Sequence, residues 1–416
     1  MHILLVHQAF ASPGQPGGTR HYELARYLTQ HGHNFTIVAS NLSYLTGKQA
    51  VDHENATVHQ TPSGMRILYS YTYPALHNSF FHRVISFISF MTTAVWTALR
   101  AGPVDVVMGT SPPIFQALSA WSIAFLRRRP FLLEIRDLWP EFAVDMGILT
   151  NPILITLSRW LVSFLYAQAS HILVNSPAYR DYLINKGVPG SKITLIANGV
   201  DSNMFNPAAK GEAIRRQWQL SEQFVVTYAG AIGVANDIPT ILKAAHHLRD
   251  HNHIHFMLVG DGKERANVET IARELNLANV TLTGALPKSQ MADVLSASDA
   301  CLATLQNIPM FTKTYPNKVF DYMAAGRPVV LAIDGVIRTV IEEGQAGIFV
   351  PPGDSKALAE AVLALAVDPV RCAQLGANGR RYVIQHFERA QQARQFEQLM
   401  VNLANYSLKK GDIGWR

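Results

Sequence analysis

The feature that most constrains this chain is an end-to-end alternation of short runs rich in Val, Ile and Leu with segments whose apolar residues recur at helical spacing. Short apolar runs bounded by turn formers read as strands buried on both faces, and strands separated by helices pair in parallel. Two such series are present. The first places strands at residues 3–6, 35–39, 105–108, 131–135, 171–174 and 193–196; the second places them at 224–230, 255–260, 280–284, 300–303, 328–332 and 347–350. The polar, turn-rich stretch ANGVDSNMFNP at 197–207 separates them and marks a domain boundary. The chain's 416 residues exceed what one core usually serves. The expected fold class is therefore α/β, two doubly wound, Rossmann-like domains facing a shared interdomain cleft with the carboxyl ends of their strands.

Charge and cysteine usage narrow the partners. Hydrophobic residues make up 48% and charged residues 16%, which excludes a disordered chain. An excess of 36 Lys and Arg over 30 Asp and Glu calls for an anionic partner, such as a nucleotide or a phospholipid surface. Nucleic acid is not expected, because no zinc-finger spacing or RNA-binding aromatic signature accompanies this small surplus. Cys301 and Cys372 form no ligand-spaced pair, which points to a reducing cytoplasm without disulfides or a structural zinc. The start MHILLVHQAF reads as a first buried strand rather than a secretion signal.

The most apolar stretch, 84–99, lies between Arg83 and Arg100. As a helix of this length it reaches about 24 Å, short of a hydrocarbon core of about 30 Å, so it is not expected to span a membrane. Two readings stand: a helix against lipid, with Phe80, Phe81, Phe87, Phe90 and Trp96 near the interface, or an ordinary buried helix. A second stretch, 160–179, reads as a helix followed by a buried strand.

The chemistry concentrates in TYPNKVFDYMAAGRPVV at 314–330. Pro316 and Asn317 form a helix start, and Gly326 with Pro328 ends that helix before a buried strand. A helix beginning at a strand's carboxyl end presents free N–H groups to an anion. Lys318 adds a positive charge for a diphosphate, and Asp321, one turn on, a carboxylate for a ribose diol. The alternative is a capped amphipathic helix with a solvated Lys318. Gly17 and Gly18 follow the first strand, and Gly230 and Gly233 follow the first strand of the second series; such loops let a ligand approach backbone closely. In EIRDLWPE a strand runs into Arg136 and Asp137, and a carboxylate there can accept a proton from a hydroxyl. The alternative pairs Arg136 with Asp137 or Glu134 as a local ion pair.

FDYMAAGRPVV resembles the second half of the two-glutamate motif of family 4 retaining GT-B glycosyltransferases, with Asp321 in place of the Glu that contacts the ribose. YPNKVFDYMAAG is similar to the subgroup that builds O-antigens and capsules, including N-acetyl-L-fucosamine transferases. PGGTRHYELARYL, TSPP at Thr110, EIRDLWPE, ANGVD, YAGAIGVAN, LVGDG and LTGALP extend the resemblance in order along nearly the whole chain. It implies a diphosphate near Gly17, Gly18, Gly230 and Gly233, nucleotide-facing backbone at Gly260, Asp261 and Gly262, and a base-reading loop from Gly284 to Pro287 that includes Leu286. It implies that the C-terminal helix returns to the first domain, giving 1–200 plus 386–416 on the acceptor side and 201–385 on the nucleotide-sugar side. It also implies retention of configuration, a UDP-sugar donor, a polyprenyl-diphosphate-linked saccharide acceptor and no metal or other cofactor; the basic surplus and the lipid-facing reading of 84–99 add the expectation of peripheral contact with an anionic membrane surface on the inner face of the plasma membrane.

The departures are specific. The first glutamate of the motif falls on Lys313, and the Arg and Lys that grip the diphosphate fall on Ala231 and Asn236. Lys318 is then left to carry much of the charge of the leaving group. Two other functions are compatible with such a chain: a UDP-sugar 2-epimerase, or a non-catalytic nucleotide-sugar-binding assembly protein.

Overall fold

The computed structural model describes residues 1–12, 18–42, 59–61, 64–74 and 80–411. They divide into two compact units, one comprising Met1–Ser12, Gly17–Ala197 and Ala390–Arg416, the other built on Asn198–Arg389.

The first unit runs β1 (His2–Val6), α1 (Arg20–Gln30), β2 (Asn34–Ser40), β3 (His59–Gln60), β4 (Arg66–Ser70), α2 (Phe80–Ala98), β5 (Val106–Ser111), α3 (Ile114–Arg127), β6 (Phe131–Ile135), α4 (Glu141–Asp145), α5 (Pro152–Gln168), β7 (His171–Val174), α6 (Pro177–Asn185) and β8 (Ile193–Leu195). The sheet order is β3-β4-β2-β1-β5-β6-β7-β8, parallel except for the β3–β4 pair. All six strands of the first series are present. The sequence reading missed β3, only two residues long, and β4, whose five residues RILYS offer too short an apolar run, and it ended β5 early at Met108. The extension carries Gly109 past α3: a Cβ there would lie 2.6 Å from Ala120 Cβ, so the helix packs where only glycine fits.

α2 corrects the length estimate. With the 3-10 turn Leu99–Ala101 that continues it, the helix offers 21 residues, Phe81–Ala101, long and apolar enough to cross a membrane by length and composition. Its inner face is nevertheless ordinary core: Phe90, Ala94 and Ala98 are fully buried, and the helix packs on β4 and α3.

The second unit runs α7 (Glu212–Gln217), β9 (Phe224–Ala229), α8 (Ile238–His247), β10 (Ile254–Val259), α9 (Arg265–Glu274), β11 (Val280–Gly284), α10 (Met291–Ser296), β12 (Ala300–Thr304), α11 (Asn317–Ala324), β13 (Val329–Ala332), α12 (Val336–Glu343), β14 (Gly347–Phe349), α13 (Ser355–Ala366) and α14 (Pro369–Phe387). Its sheet, β11-β10-β9-β12-β13-β14, is parallel throughout. Chain order reverses between β9 and β12 here, and between β1 and β5 in the first unit. Ligands of doubly wound sheets sit at the carboxyl ends beside such switch points. The last helix, α15 (Arg389–Gly411), spaces Ala393, Phe396, Met400 and Leu403 as one apolar stripe, buried against Ile3, Leu24 and Phe35 of the first unit.

Candidate functional site

In the second unit, α11 starts where the sequence places it. Pro316 occupies the N-cap and contributes no side-chain cap, and Asn317 is the first helical residue, exposed. The Lys318 side chain runs inward to the β9/β12 switch point. Its Nζ donates to Tyr228 Oη at 2.8 Å and to Asn236 Oδ1 at 3.0 Å, and lies 4.1 Å from the centre of the Tyr228 ring. Both oxygen partners are neutral, and burial pushes the amine down to about 7. The solvated-lysine alternative is thereby overturned.

Two tyrosines fix this junction. Tyr228 Oη donates to the Ala231 carbonyl at 2.8 Å. Tyr322 Oη accepts from the Ala229 amide at 2.8 Å and donates to the Ala229 carbonyl at 3.2 Å, pinning α11 to the end of β9. Thr304, at the end of β12, donates to the Asn236 carbonyl at 2.5 Å. Asp321 is half-buried one turn beyond Lys318. Lys313 ends the 3-10 turn Pro309–Lys313.

The glycine loops lock on one another. Gly230 lies against the lysine, since a Cβ there would be 2.9 Å from Lys318 Nζ. Gly260, at φ +155°, could carry no Cβ because the Gly230 carbonyl oxygen would stand 1.8 Å away, and a Cβ on Gly262 would meet the Ile232 carbonyl oxygen at 2.3 Å. These two glycines therefore serve loop packing as well as any ligand. Gly233 has extended backbone, and a Cβ there would meet only Asn236 Nδ2, at 3.8 Å. Asp261 takes the part of a turn carboxylate: it accepts from the Gly262 amide at 2.7 Å and pairs with Arg265 at 3.4 Å. Leu286 packs against the core formed by Leu220, Met257 and Val259.

In the first unit, Gly17 lies outside the described residues, and Gly18 is exposed with open space beside it. Arg136 leaves the end of β6 and donates to the Pro112 carbonyl at 3.0 Å, forming neither of the local ion pairs considered from the sequence. Burial pushes Asp137 up to about 6, against the opposing pull of Arg136 and a hydrogen bond with Tyr179.

Glu134 is instead the centre of a buried polar knot that the sequence reading passed over. It accepts from His21 Nε2 at 2.5 Å and from Arg20 Nε at 3.3 Å, while Arg20 also donates to the Ile196 and Ala197 carbonyls. Burial opposes its ionisation, yet His21 and Arg20 hold it well below the usual carboxylate range. His7, at the end of β1, meets the His21 ring edge-on at 4.5 Å; burial and His21 push it well below the ordinary histidine value. Both of its ring nitrogens are buried without a hydrogen-bond partner. The signal was present: a glutamate inside the doubly buried strand FLLEI has to be paired. Among the described residues no group of three His, Cys, Asp or Glu is placed to hold a metal ion.

Comparisons with known proteins follow these two units. Residues 17–199 match the Glycosyl transferase 4-like domain family, and residues 223–368 match Glycosyl transferases group 1. The GDP-mannose-dependent alpha-mannosyltransferase of Mycobacterium tuberculosis is 24% identical over 336 residues, covering 80% of this chain and 79% of the relative. Among solved structures, a sucrose-phosphate synthase from Thermosynechococcus elongatus superposes with a TM-score of 0.78 at 21% identity, covering 97% of this chain and 98% of the other. The Anabaena protein HepE in complex with UDP and glucose gives 0.73 at 18% identity, covering 96% and 99%.

Proposed function

The chain belongs to the glycosyltransferases of GT-B fold, a glycosyl transferase 4-like domain followed by a group 1 domain, and from that premise we propose that it transfers an N-acetylated sugar from a UDP-sugar to a lipid-linked saccharide with retention of configuration. The sugar is N-acetyl-L-fucosamine or N-acetylglucosamine, the acceptor a saccharide on polyprenyl diphosphate, and the setting the assembly of O-antigen or capsule at the cytoplasmic face of the plasma membrane.

The observation that carries this reading is the half-buried Lys318, whose amine at the β9/β12 switch point is held by neutral oxygens and bordered by Gly230. A cation there, beside the first turn of α11, offsets the charge that collects on a departing diphosphate. Asp321 receives the ribose hydroxyls. Asp137, whose carboxyl burial raises to about 6, takes the proton of the acceptor hydroxyl or orients that hydroxyl, with Arg136 beside it. The sugar leaves and is attacked on the same face, with no enzyme nucleophile.

The donor nucleotide is supported by the UDP named with HepE, whereas the mycobacterial relative is named for GDP-mannose. The N-acetylated sugar and the lipid acceptor rest on the resemblance of YPNKVFDYMAAG. The test is a screen of UDP- and GDP-sugars against a polyprenyl-diphosphate-N-acetylglucosamine acceptor, following nucleotide release and product mass. Transfer from a UDP-N-acetylhexosamine is the expected result. Isomerisation of the donor without acceptor, or nucleotide binding with no transfer to any acceptor, would overturn it.

A further inference from the structure

The outward faces of α2, α3 and α5 form a continuous layer on the first unit. Ser119 Oγ of α3 donates to the Met91 carbonyl of α2 at 2.9 Å, and Phe115 stacks on Phe87 at 5.9 Å. On the other side Trp121 of α3 meets Phe164 of α5 edge-on at 4.9 Å. Arg127, at the end of α3, donates to the carbonyls of Ala98, Leu99 and Gly102, tying that end to the end of α2.

This layer turns apolar side chains outward. Phe81 is 69% exposed, Trp96 74%, Phe125 70% and Trp160 66%. On α5 the positions Ile153, Leu157, Trp160 and Phe164 form the stripe that normally faces a core, yet the first three are exposed. Rings and aliphatic chains on this scale exceed the scattered exposure of an ordinary soluble surface.

The charge pattern identifies the partner. The three helices and the turn after α2 contain no Asp or Glu, while Arg100 and Arg128 stand exposed where α2 and α3 end. A second copy docked isologously on this face would oppose cation to cation. An anionic bilayer surface supplies both an apolar layer for the aromatic rings and phosphates for the arginines. The buried inner face of α2, with Phe90, Ala94 and Ala98 fixed in the core, keeps that helix in the plane of the protein surface.

We propose that the layer of α2, α3 and α5 docks in the plane of a lipid bilayer bearing anionic headgroups, with Phe81, Trp96, Phe125 and Trp160 at headgroup depth and Arg100 and Arg128 on the phosphates. This deepens the membrane part of the reading above and does not depend on its chemistry.

The experiment is co-sedimentation of the full chain with vesicles of phosphatidylcholine alone and of phosphatidylcholine mixed with phosphatidylglycerol, at low and high salt. The wild type should pellet with the mixed vesicles, less so at high salt. The Phe125→Ser/Trp160→Ser double variant should lose at least about tenfold in partitioning, with circular dichroism and melting temperature unchanged. Arg128→Gln should weaken binding to the anionic vesicles and flatten its salt dependence. Transfer onto a soluble acceptor, measured in parallel, reports on the enzymatic reading separately. No pelleting with either vesicle, pelleting untouched by the double variant, salt-insensitive binding equal on both vesicles, or a patch-dependent dimer seen by light scattering without vesicle binding would overturn the proposal.

Discussion

Replacing Lys318 by Met removes one charge and little volume, so it isolates what the ammonium contributes. In the resting site the amine has neutral oxygen partners at 2.8 and 3.0 Å, and burial brings it to about 7. A diphosphate oxygen about 4 Å from the ammonium, at an effective dielectric of about 20, attracts it by about 4 kcal/mol. Lost from the transition state, that is about a thousandfold in kcat/KM. The sign of the pH dependence follows from the same amine. Only its charged form serves the diphosphate, so free-enzyme kcat/KM should fall about tenfold per unit as pH rises beyond about 7, where the proton is lost. The assay is the initial rate of UDP release across acidic to mildly alkaline pH, in wild type and Lys318→Met. The variant should lose both the rate and the alkaline limb. Activity within about threefold of wild type at neutral pH, or an unchanged alkaline limb, would refute the role given to this lysine.

Four further outcomes are expected. Asp137→Asn should cost about a hundredfold or more in kcat and abolish an acid limb near pH 6, because burial places the ionisation of Asp137 at about 6 and a base must be ionised; a retained limb would assign it to another group. Glu134→Gln leaves Arg20 and His21 buried without their anion, a loss of about 3–5 kcal/mol, read as a melting temperature about 10 °C lower by calorimetry. Since the ionisation of Glu134 is depressed in the fold, its contribution is full above the ordinary glutamate value and is lost on acidification, so the deficit of the variant should shrink at low pH. Gly260→Ala drives a methyl into the Gly230 carbonyl and should destabilise by about 1–3 kcal/mol while weakening UDP binding in a calorimetric titration. Finally, EDTA should leave turnover unchanged; activity lost to EDTA and restored by a divalent cation would contradict the proposed reliance on Lys318 and the start of α11.

The parallel sheets were legible because a strand buried on both faces has to be an apolar run, and all twelve expected runs became strands. What failed had a physical cause in each instance. β4 escaped because two aliphatic residues do not make a run. Thr110 and Ser111 extend β5 because their backbone pairs with Glu134 and Ile135 of β6, a long-range fact with no local signature. Trp160 and Leu157 sit on a helical stripe that reads as a core face, and periodicity cannot say whether protein or something else lies opposite it. Lys318 could be found because proline, a helix start and a following glycine are local signals. Tyr228 could not, since a tyrosine in FVVTYA is first of all a good strand former.

The two departures at positions 231 and 236 change meaning once these residues are set in space. Taken along the chain, Ala231 and Asn236 are places where the family pattern has cations and this protein has none. In the fold, Asn236 accepts from Lys318 at 3.0 Å, Tyr228 links the same amine to the carbonyl of Ala231, and Gly230 borders it. The positive charge beside the loop after β9 is thus the ammonium of Lys318, carried by α11. Burial lowers the amine to about 7, and its tyrosine and asparagine partners bring no negative charge to oppose that shift; a carboxylate partner would hold the charge in place, whereas these two leave it to be settled by the anion that arrives.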